Sequence, residues 1–454
     1  MKNNSKILVL LFVGVLMGAL DISIVGPAIP SIEKTIRMAD RDVSWIFSIY
    51  VLCNLVGISL MAKLSDYFGR RWIYIISIAV FGIGSLVVAF SHEMTPLLIG
   101  RAIQGFGSSG IFPVASAVIG DVFPVEKRGR ALGLIGAVFG IAFILGPFIA
   151  GFMLLYFDWN ALFLINIPIA ILLMVFSFFL LPGKTLLEKP KMDWEGMILL
   201  AVILTSFTLA VNIIRTESII ESLGSWPVLP LLILVLLLTP ILLMLEVRQD
   251  DPVINIRLFS STQIRLVGFI AFGLGLFQSN IVFLPKLAVD IFGVEPSKAS
   301  FMLLPVVLMT AFGSPITGRL LDKIGSKIII ISGLFITAIG LFILSLLTRD
   351  VVLFYISEGM LGLGLSMRAS LNYIMLNEVP AKERASTQGI LLIFISIGQL
   401  TGAAFTGALS ATTPGKPDGF GYAFIAMASL SVILLIFSFF LKNRKMELAR
   451  KVKS

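Results

Sequence analysis

The chain has 454 residues, of which 57% are hydrophobic and 13% charged, and its mean hydropathy is +1.02. This composition excludes a soluble globular protein and predicts a polytopic membrane protein. The net charge of +9 does not indicate nucleic-acid binding, because the basic residues fall between apolar segments and not on a soluble recognition module.

Segments of about 20 apolar residues, long enough for a helix to cross ~30 Å of hydrocarbon, occur fourteen times. The predicted spans are 7–29, 43–62, 73–91, 95–119, 132–157, 161–181, 194–214, 227–245, 264–288, 298–318, 328–347, 351–376, 386–409 and 420–441. The connections on the side of the termini hold 25 of the 35 Lys and Arg residues, whereas the opposite connections hold 7. Because cytoplasmic segments carry the excess of basic residues, we expect a cell (inner) membrane protein, embedded in the lipid bilayer, with both termini in the cytoplasm.

The first span contains one acid, Asp21, about 4.5 Å outward of its midpoint at 1.5 Å per residue. An aspartate near the bilayer centre costs about 2.5–3.5 kcal/mol on insertion scales, so it usually faces a cavity or a partner. Because water and nearby charge both change how readily a carboxyl group holds a proton, Asp21 is a candidate proton carrier. The alternative is a structural acid bonded to neighbouring backbone.

The loops of the chain reveal an internal repeat. AKLSDYFGRR (62–71) recurs 256 residues later as GRLLDKIGSK (318–327), and PVEKRGRALG (124–133) recurs at the same offset as PAKERASTQG (380–389). We therefore expect an N-terminal six-helix bundle (1–181), a linker with two additional transmembrane helices (182–263) and a C-terminal six-helix bundle (264–454). Two related six-helix halves are an arrangement of secondary transporters.

The fourth span carries the second intramembrane charge, Arg101, at a depth similar to that of Asp21. Pairing and desolvation act on a carboxyl group in opposite directions, so a change in their separation would alter proton affinity. The pair is a candidate proton switch, and the alternative is a structural buried salt bridge.

The fifth span repeats small residues at a spacing that lets helix backbones approach closely. Gly133 and Gly146 belong to this series, and Pro147 perturbs the helix that carries them. Close packing that can slide suits a transporter, although plain packing explains the glycines as well.

The second half contributes further polar candidates. Glu358, in the twelfth span, aligns with Arg101 at an offset of 257 and is a candidate second acid, either attracting a cationic substrate or sharing the proton. Gln278 and Asn280, in the ninth span, either bond substrate or make helix contacts. Lys286 is expected to extend its ammonium group to the membrane surface.

No pattern of catalytic or metal-ligating residues accompanies these charges, so the chain is not expected to be an enzyme or to hold a metal. Gly183-Lys184-Thr185 has Phe178 where a phosphate-binding loop needs glycine. No cofactor is predicted, and the proton gradient is the expected energy source.

Taken in order, these motifs resemble the major facilitator superfamily, and within it the fourteen-helix drug:proton antiporter family. LDISIVGPAIP (20–30) resembles the first-helix signature, with Ser23 and Gly26 replacing the usual Thr and Asn, and RAIQGFG (101–107) resembles the fourth-helix RxxQGxG. NIPIA (166–170) and MDWEG (192–196) resemble elements of the fourteen-helix branch. The antiporter pattern of the fifth helix is kept through Gly133, Gly146, Pro147 and Gly151.

The resemblance implies an all-α major facilitator fold and roles for particular residues. Taking the resemblance together with the depth and repeat arguments above, we predict proton coupling by Asp21, Arg101 and Glu358, and substrate binding by Asp21, Gln104, Gln278, Asn280 and Glu358. The expected cytoplasmic gate comprises Asp66, Gly69, Arg70, Arg71, Asp121, Asp322, Gly325 and Arg384. Within this gate, Asp66 is directed toward the helix start near Arg384, and Arg70 toward Asp121.

The sequence therefore predicts a monomeric, proton-coupled antiporter that exports small lipophilic or cationic compounds by alternating access. Two alternatives remain at this point. One is a proton-coupled exporter of a specific metabolite, siderophore or lipid, since substrate choice lies in cavity side chains. The other is a non-transporting membrane receptor or scaffold.

Overall fold

The computed structural model of the chain describes residues 2–39, 42–183, 193–214, 219–249, 256–347, 349–379, 384–413, 417–444 and 446. Within these residues the chain is organised almost entirely in helices. The α-helices are α1 (Lys2–Ile36), α2 (Val43–Phe68), α3 (Arg70–Ala89), α4 (Met94–Val122), α5 (Val125–Tyr156), α6 (Asn160–Leu164), α7 (Asn166–Leu180), α8 (Trp194–Ile213), α9 (Ile219–Leu223), α10 (Val228–Glu246), α11 (Thr262–Asn280), α12 (Leu284–Phe292), α13 (Pro296–Met302), α14 (Leu304–Ile324), α15 (Ser326–Ser345), α16 (Val351–Leu365), α17 (Arg368–Asn377), α18 (Arg384–Ser410) and α19 (Asp418–Ser438).

Fourteen helical stretches of the described chain are long and apolar enough to cross a membrane, which confirms the predicted number of spans and the all-α class. Four of these spans join two successive helices, namely α6 with α7, α11 with α12, α13 with α14, and α16 with α17. The join between α11 and α12 is a short 3-10 helix, Ile281–Phe283. The multi-pass architecture therefore follows from the length and apolar character of each segment.

The outer surface of the spans is apolar. Helix α10 buries only Val228, Leu242 and Glu246, while Leu236 is 71% and Met244 68% exposed. A soluble protein would expose a continuous surface of this kind only at an interaction site. Hydrocarbon covers such a surface without cost, so the exposed side chains agree with a location in a membrane.

The chain separates into two compact units, Met1–Ala201 with Pro296–Phe301, and Val202–Glu295 with Met302–Ser454. In the first unit, α1 packs against α5, α2 and α3 pack against α4, and α3 also packs against α7. In the second unit, the same four pairings recur as α11 with α18, α14 and α15 with α16, and α15 with α19. The sequence repeat is thus also a repeat of helix packing, while the predicted limits of bundles and linker stay a prediction.

A glycine with positive φ joins equivalent helices in each unit. Gly69 (φ +93°) separates α2 from α3, and Gly325 (φ +84°) separates α14 from α15. A side chain is disfavoured in this region of backbone space, whereas glycine adopts it freely. The glycines of the repeated loop motif therefore form the sharp turns that return the chain into the next span.

Candidate functional site

Asp21 and Arg101 form an ion pair inside the first unit. Arg101 Nη1 donates to Asp21 Oδ2 at 2.6 Å, and both side chains are 0% exposed. Asp21 lies on α1 and Arg101 on α4, 80 residues away in sequence. The structure thus brings together the two intramembrane charges that the sequence places at similar depth.

Amide side chains complete the coordination of the Asp21 carboxylate. Gln104 Nε2 donates to Oδ1 at 3.0 Å, and Asn166 Nδ2, from α7, donates to the same oxygen at 3.2 Å. Both amides also reach Ser85 Oγ on α3, at 2.7 Å and 3.3 Å. Because both carboxylate oxygens accept hydrogen bonds and none of these contacts needs a carboxyl proton, the geometry is that of the ionised acid.

The guanidinium of Arg101 is held by three further contacts. Its Nη1 donates to Gln104 Oε1 at 2.8 Å, its Nε donates to the Ile46 carbonyl at 3.1 Å, and its Cζ lies 4.3 Å from the centre of the Tyr50 ring. A cation over an aromatic face is stabilised by the ring quadrupole, more so in a dry site. Its Nη2 has no hydrogen-bond partner within the described chain.

Close helix approach makes this buried network possible. A Cβ atom at Gly84 of α3 would lie 2.5 Å from the backbone nitrogen of Gln104, and one at Gly105 of α4 would lie 2.3 Å from the carbonyl oxygen of Tyr50. Only glycine allows the backbones of α2, α3 and α4 to come this near. The glycines of the fourth-helix motif therefore position the side chains of Arg101 and Gln104 beside their partners.

The loop between α2 and α3 carries a second, more exposed cluster of charges. Arg70 forms an ion pair with Asp66, its Nε donates to Asp121 Oδ2 at 3.0 Å, and its Nη1 donates to Ser65 Oγ at 2.7 Å. The Asp121 side chain is 43% exposed. Surface pairs of this kind contribute little to the free energy of unfolding. The pair of Arg70 and Asp121 links the end of α4 to the α2–α3 turn.

Equivalent basic residues anchor the ends of equivalent helices in the two units. Arg71 Nε donates to the Leu181 carbonyl at 2.7 Å, and Lys327, 256 residues later, donates through Nζ to the Phe439 carbonyl at 2.5 Å. The side chains of Asp322 and Arg384 lie outside the described residues, so the predicted direction of Asp66 toward the Arg384 region stays a prediction.

The glycine-rich helix α5 packs closely within the first unit. A Cβ at Gly146 would lie 2.0 Å from Ser23 Oγ of α1, which itself donates to the Ala142 carbonyl at 2.9 Å. Pro147 lies inside α5, and Gly151 lies against the ring of Phe301. Gly133 also belongs to α5, whereas its immediate surroundings lie outside the described residues.

The polar residues of the ninth span form contacts inside the second unit. Asn280 is buried, accepts from Thr406 Oγ1 at 2.9 Å and donates to Met427 Sδ at 2.6 Å, whereas Gln278 accepts from Gln399 Nε2 at 3.1 Å. These contacts join α11 to α18 and α19. Both residues therefore make helix–helix contacts, which was the alternative to substrate binding.

The remaining intramembrane charges of the second unit differ from each other. Glu358 is 0% exposed on α16, and neither of its oxygens has a hydrogen-bond partner within the described chain. Lys286 is 6% exposed, so the prediction that it reaches the membrane surface is wrong.

Sequence reasoning missed three members of the network around Asp21. Asn166 was noted only as part of a motif, and Ser85 and Tyr50 were not noted at all. Depth along the membrane, estimated from residue counts, places a side chain at a level but not on a face of its helix. The available signal was the polar character of Asn166 at the start of an otherwise apolar span.

The arrangement supports binding of small charged species and not covalent chemistry. Within the described residues no group of three or more His, Cys, Asp or Glu side chains is placed to hold a metal ion. The buried carboxylate accepts hydrogen bonds from one cation and two amides. Such a group can exchange its cationic partner for a proton when the helices that carry the two charges move.

Comparison with known proteins agrees with this architecture. A family model, that of the Major Facilitator Superfamily, matches residues 11–248 and 266–454. Multidrug resistance protein 3 of Bacillus subtilis (strain 168) is 28% identical over 411 residues, covering 89% of this chain and 80% of the relative. Riboflavin transporter RibZ of Clostridioides difficile (strain 630) is 28% identical over 410 residues, covering 89% of this chain and 88% of the relative.

A solved structure extends the similarity to the fold. A bacterial homolog to the human lysosomal transporter Spinster superposes with a TM-score of 0.71 at 15% sequence identity, over 97% of each chain. At this level of identity the match concerns the fold alone. It agrees with the helix packing described above.

Proposed function

We infer, because this chain belongs to the Major Facilitator Superfamily of membrane transporters, that it is a proton-coupled antiporter exporting small lipophilic or cationic compounds. The proposal places it in the cell (inner) membrane as a monomer, with both termini in the cytoplasm. Inward flow of protons drives export, and protonation competes with substrate occupancy.

The observation that carries the proposal is the buried pair of Asp21 and Arg101. Within a low-dielectric interior, an acid and a base at 2.6 Å stabilise each other's charge. Protonation of Asp21 removes that attraction, so proton binding and separation of α1 from α4 favour each other. A proton taken up on one side therefore biases the conformation of the unit, which is the requirement for coupling.

Gln104 and Asn166 link the Asp21 carboxylate to Ser85 by hydrogen bonds. Both amides donate to Asp21 Oδ1 and to Ser85, so they remain hydrogen-bonded through Ser85 when the acid is protonated. The two amides therefore keep an acceptor when the Asp21 charge is lost, and the loss is felt at Arg101, which is left without its counter-charge. We assign Gln104 to this positioning role beside its predicted contact with substrate.

In this proposal the ion pairs of the α2–α3 loop and helix α5 change position during the transport cycle. The pair of Arg70 and Asp121 acts as a latch that holds one end of α4, and it opens and closes in the transport cycle. Gly146, packed on Ser23, lets α5 slide along α1. Both roles agree with the exposed, weak character of the loop pairs and with the close packing of the glycine.

Two relatives favour different substrate ranges. The Bacillus subtilis relative is a multidrug resistance protein, which supports a range of drugs as substrates, whereas the Clostridioides difficile relative is a riboflavin transporter, which supports a metabolite as substrate. A transporter for one specific metabolite is therefore the second candidate function. A competition panel that includes riboflavin distinguishes them, because a multidrug exporter is inhibited by several unrelated compounds.

The test measures proton movement. Everted membrane vesicles are given an acidic interior, and the loss of the gradient on adding each compound is followed with a pH-sensitive dye. We expect Asp21→Asn to abolish substrate-driven proton release, while Asp158→Asn, a change at an exposed acid of the same unit, leaves it intact. Transport by Asp21→Asn in proteoliposomes that is fully driven by the pH gradient would contradict the proposal.

A further inference from the structure

Glu358 stands apart from the other buried acids of the described chain. It is 0% exposed, and it is the carboxyl group for which neither oxygen has a hydrogen-bond partner among the described residues. By contrast, Asp193 accepts from the backbone of Gly196, and Glu378 accepts from Ser261 and Lys442.

The helix that bears Glu358 is tightly enclosed. A Cβ at Gly362 would lie 2.2 Å from the carbonyl oxygen of Val306 on α14, and one at Gly340 of α15 would lie 3.0 Å from the carbonyl oxygen of Ser357. One turn before Glu358, Phe354 meets the ring of Phe292. Helix α16 is therefore packed closely against α12, α14 and α15 within about one turn of the acid.

No described cation on a neighbouring element compensates Glu358. Charged or titratable residues on the elements packed against α16 or continuing it are Arg319, Asp322 and Lys323 on α14, Lys327 on α15, Arg265 on α11, Lys286 and Asp290 on α12, Tyr355 on α16, and Arg368 and Tyr373 on α17. None of the described side chains among them hydrogen-bonds to Glu358. Within the part of the chain that the structure describes, Glu358 therefore has no hydrogen-bonded cation to stabilise a carboxylate.

Helix geometry places the cations of α14 and α15 far from the acid. Ser366, eight residues after Glu358, lies against Gly313, and Arg319 follows six residues later on α14, so the charged end of α14 lies about 20 Å beyond the acid at 1.5 Å per residue. Lys327 is thirteen residues from Gly340, again about 20 Å along its helix, and it is engaged at the Phe439 carbonyl.

An ionised carboxylate in such a place would lose its hydration without hydrogen bonds to described residues that replace it, at a cost of several kcal/mol. A neutral carboxylic acid avoids that cost. We propose that Glu358 is a second proton-binding site, which holds its proton in the conformation of this structure while Asp21 is ionised. Asp21 in the first unit and Glu358 in the second are thus in opposite states of protonation.

The site in the second unit is not a copy of the first. Glu358 occupies the position of Arg101 in the repeat, and Phe277, which is 1% exposed, occupies the position of Asp21. The unit thus has an acid where its counterpart has a base, and a ring where its counterpart has an acid. Proton release from Glu358 must then depend on access to water or a cationic substrate and not on an internal arginine.

The role of this proton in transport rests on the proposed antiport, whereas the protonation itself does not. Infrared spectra of the purified full chain at neutral pH detect it, because a carboxylic acid has a C=O stretching band that a carboxylate lacks. We expect Glu358→Gln to lose one such band, and Asp21→Asn and Glu295→Gln, a change at an exposed acid, to keep it. A band unchanged in Glu358→Gln would overturn the proposal.

A second measurement needs no variant. A hydrophobic carbodiimide adds to protonated carboxyl groups in apolar surroundings, and mass spectrometry of the wild-type protein locates the adduct. We expect the adduct on Glu358 and not on Asp21, and its absence from Glu358 would contradict the proposal. Neither measurement uses a substrate, so a failure of the proposed antiport leaves both results interpretable.

Discussion

The buried ion pair between Asp21 and Arg101 predicts strong energetic coupling between the two residues. The perturbation is a double-mutant cycle of Asp21→Asn, Arg101→Gln and the combined variant. Arg101→Gln leaves the Asp21 carboxylate fully buried with two amide donors and no cation. Asp21→Asn leaves a buried guanidinium without its counter-charge.

The structure sets the expected magnitude. Breaking a fully buried pair by removing one partner costs about 3–5 kcal/mol, because the other charge stays uncompensated. The first unit has about 200 residues, a size at which each kcal/mol lowers the melting temperature by about 2–4 °C. We therefore expect each single variant to melt about 6–20 °C below the wild type.

The combined variant removes both charges, and its Asn and Gln side chains remain able to hydrogen-bond. Its loss of stability should be smaller than the sum of the single losses, with a coupling energy of about 1.5 kcal/mol or more. Arg319→Gln, at an exposed arginine of the second unit, is the matched control and should stay within about 0.5 kcal/mol of the wild type.

Thermal unfolding of the purified protein in detergent, followed by intrinsic fluorescence, measures the cycle. The reasoning is refuted if the single losses add to that of the combined variant within about 0.5 kcal/mol, the behaviour of independent sites. It is also refuted if Arg101→Gln melts like Arg319→Gln, since a buried carboxylate would then tolerate loss of its cation.

Further predictions concern backbone approach, the loop turn and the amide network, each read from the melting temperature. Gly105→Ala places a methyl group 2.3 Å from the Tyr50 carbonyl oxygen, and we expect a loss of about 1–3 kcal/mol. Gly120→Ala on the same helix meets nothing within 4 Å and should be neutral or stabilising by up to about 1 kcal/mol; equal losses in the two variants would contradict the close-approach argument. Gly69→Ala forces a side chain to φ +93° at a cost of about 1–3 kcal/mol, and an unchanged melting temperature would mean that the turn relaxes freely. Asn166→Ala removes a donor of the buried network, with an expected loss of about 1–3 kcal/mol and slower transport, whereas wild-type values of both would exclude it from the network.

The fold was largely predictable because apolar length alone identifies a membrane-spanning helix. Helices α1 and α5 both run further than predicted. Helix α5 begins at Val125, whereas the predicted span begins at residue 132. The prediction began too late because the first turns of the helix contain charged residues, which lower the local hydropathy. Helix α1 continues to Ile36, past Pro27 and Pro30, which it accommodates inside the span.

The site was predictable in part, for a geometric reason. Residue counting gave Asp21 and Arg101 a common depth, but the rotation of each helix about its axis is set by packing. That rotation brings Asn166 into the network, and it turns Asn280 toward Thr406 within the second unit. For Glu358 the sequence identified the residue, whereas only the packed structure reveals that its oxygens lack partners among the described residues.

The separation of Asp21 from Arg101 along the chain has a consequence for biosynthesis. Asp21 emerges from the ribosome 80 residues before its counter-charge. At about 5–20 residues per second, this corresponds to a wait of about 4–16 s. During that time α1 must stay beside the insertion machinery or expose its carboxyl group to lipid, so the fourth helix completes the insertion of the first.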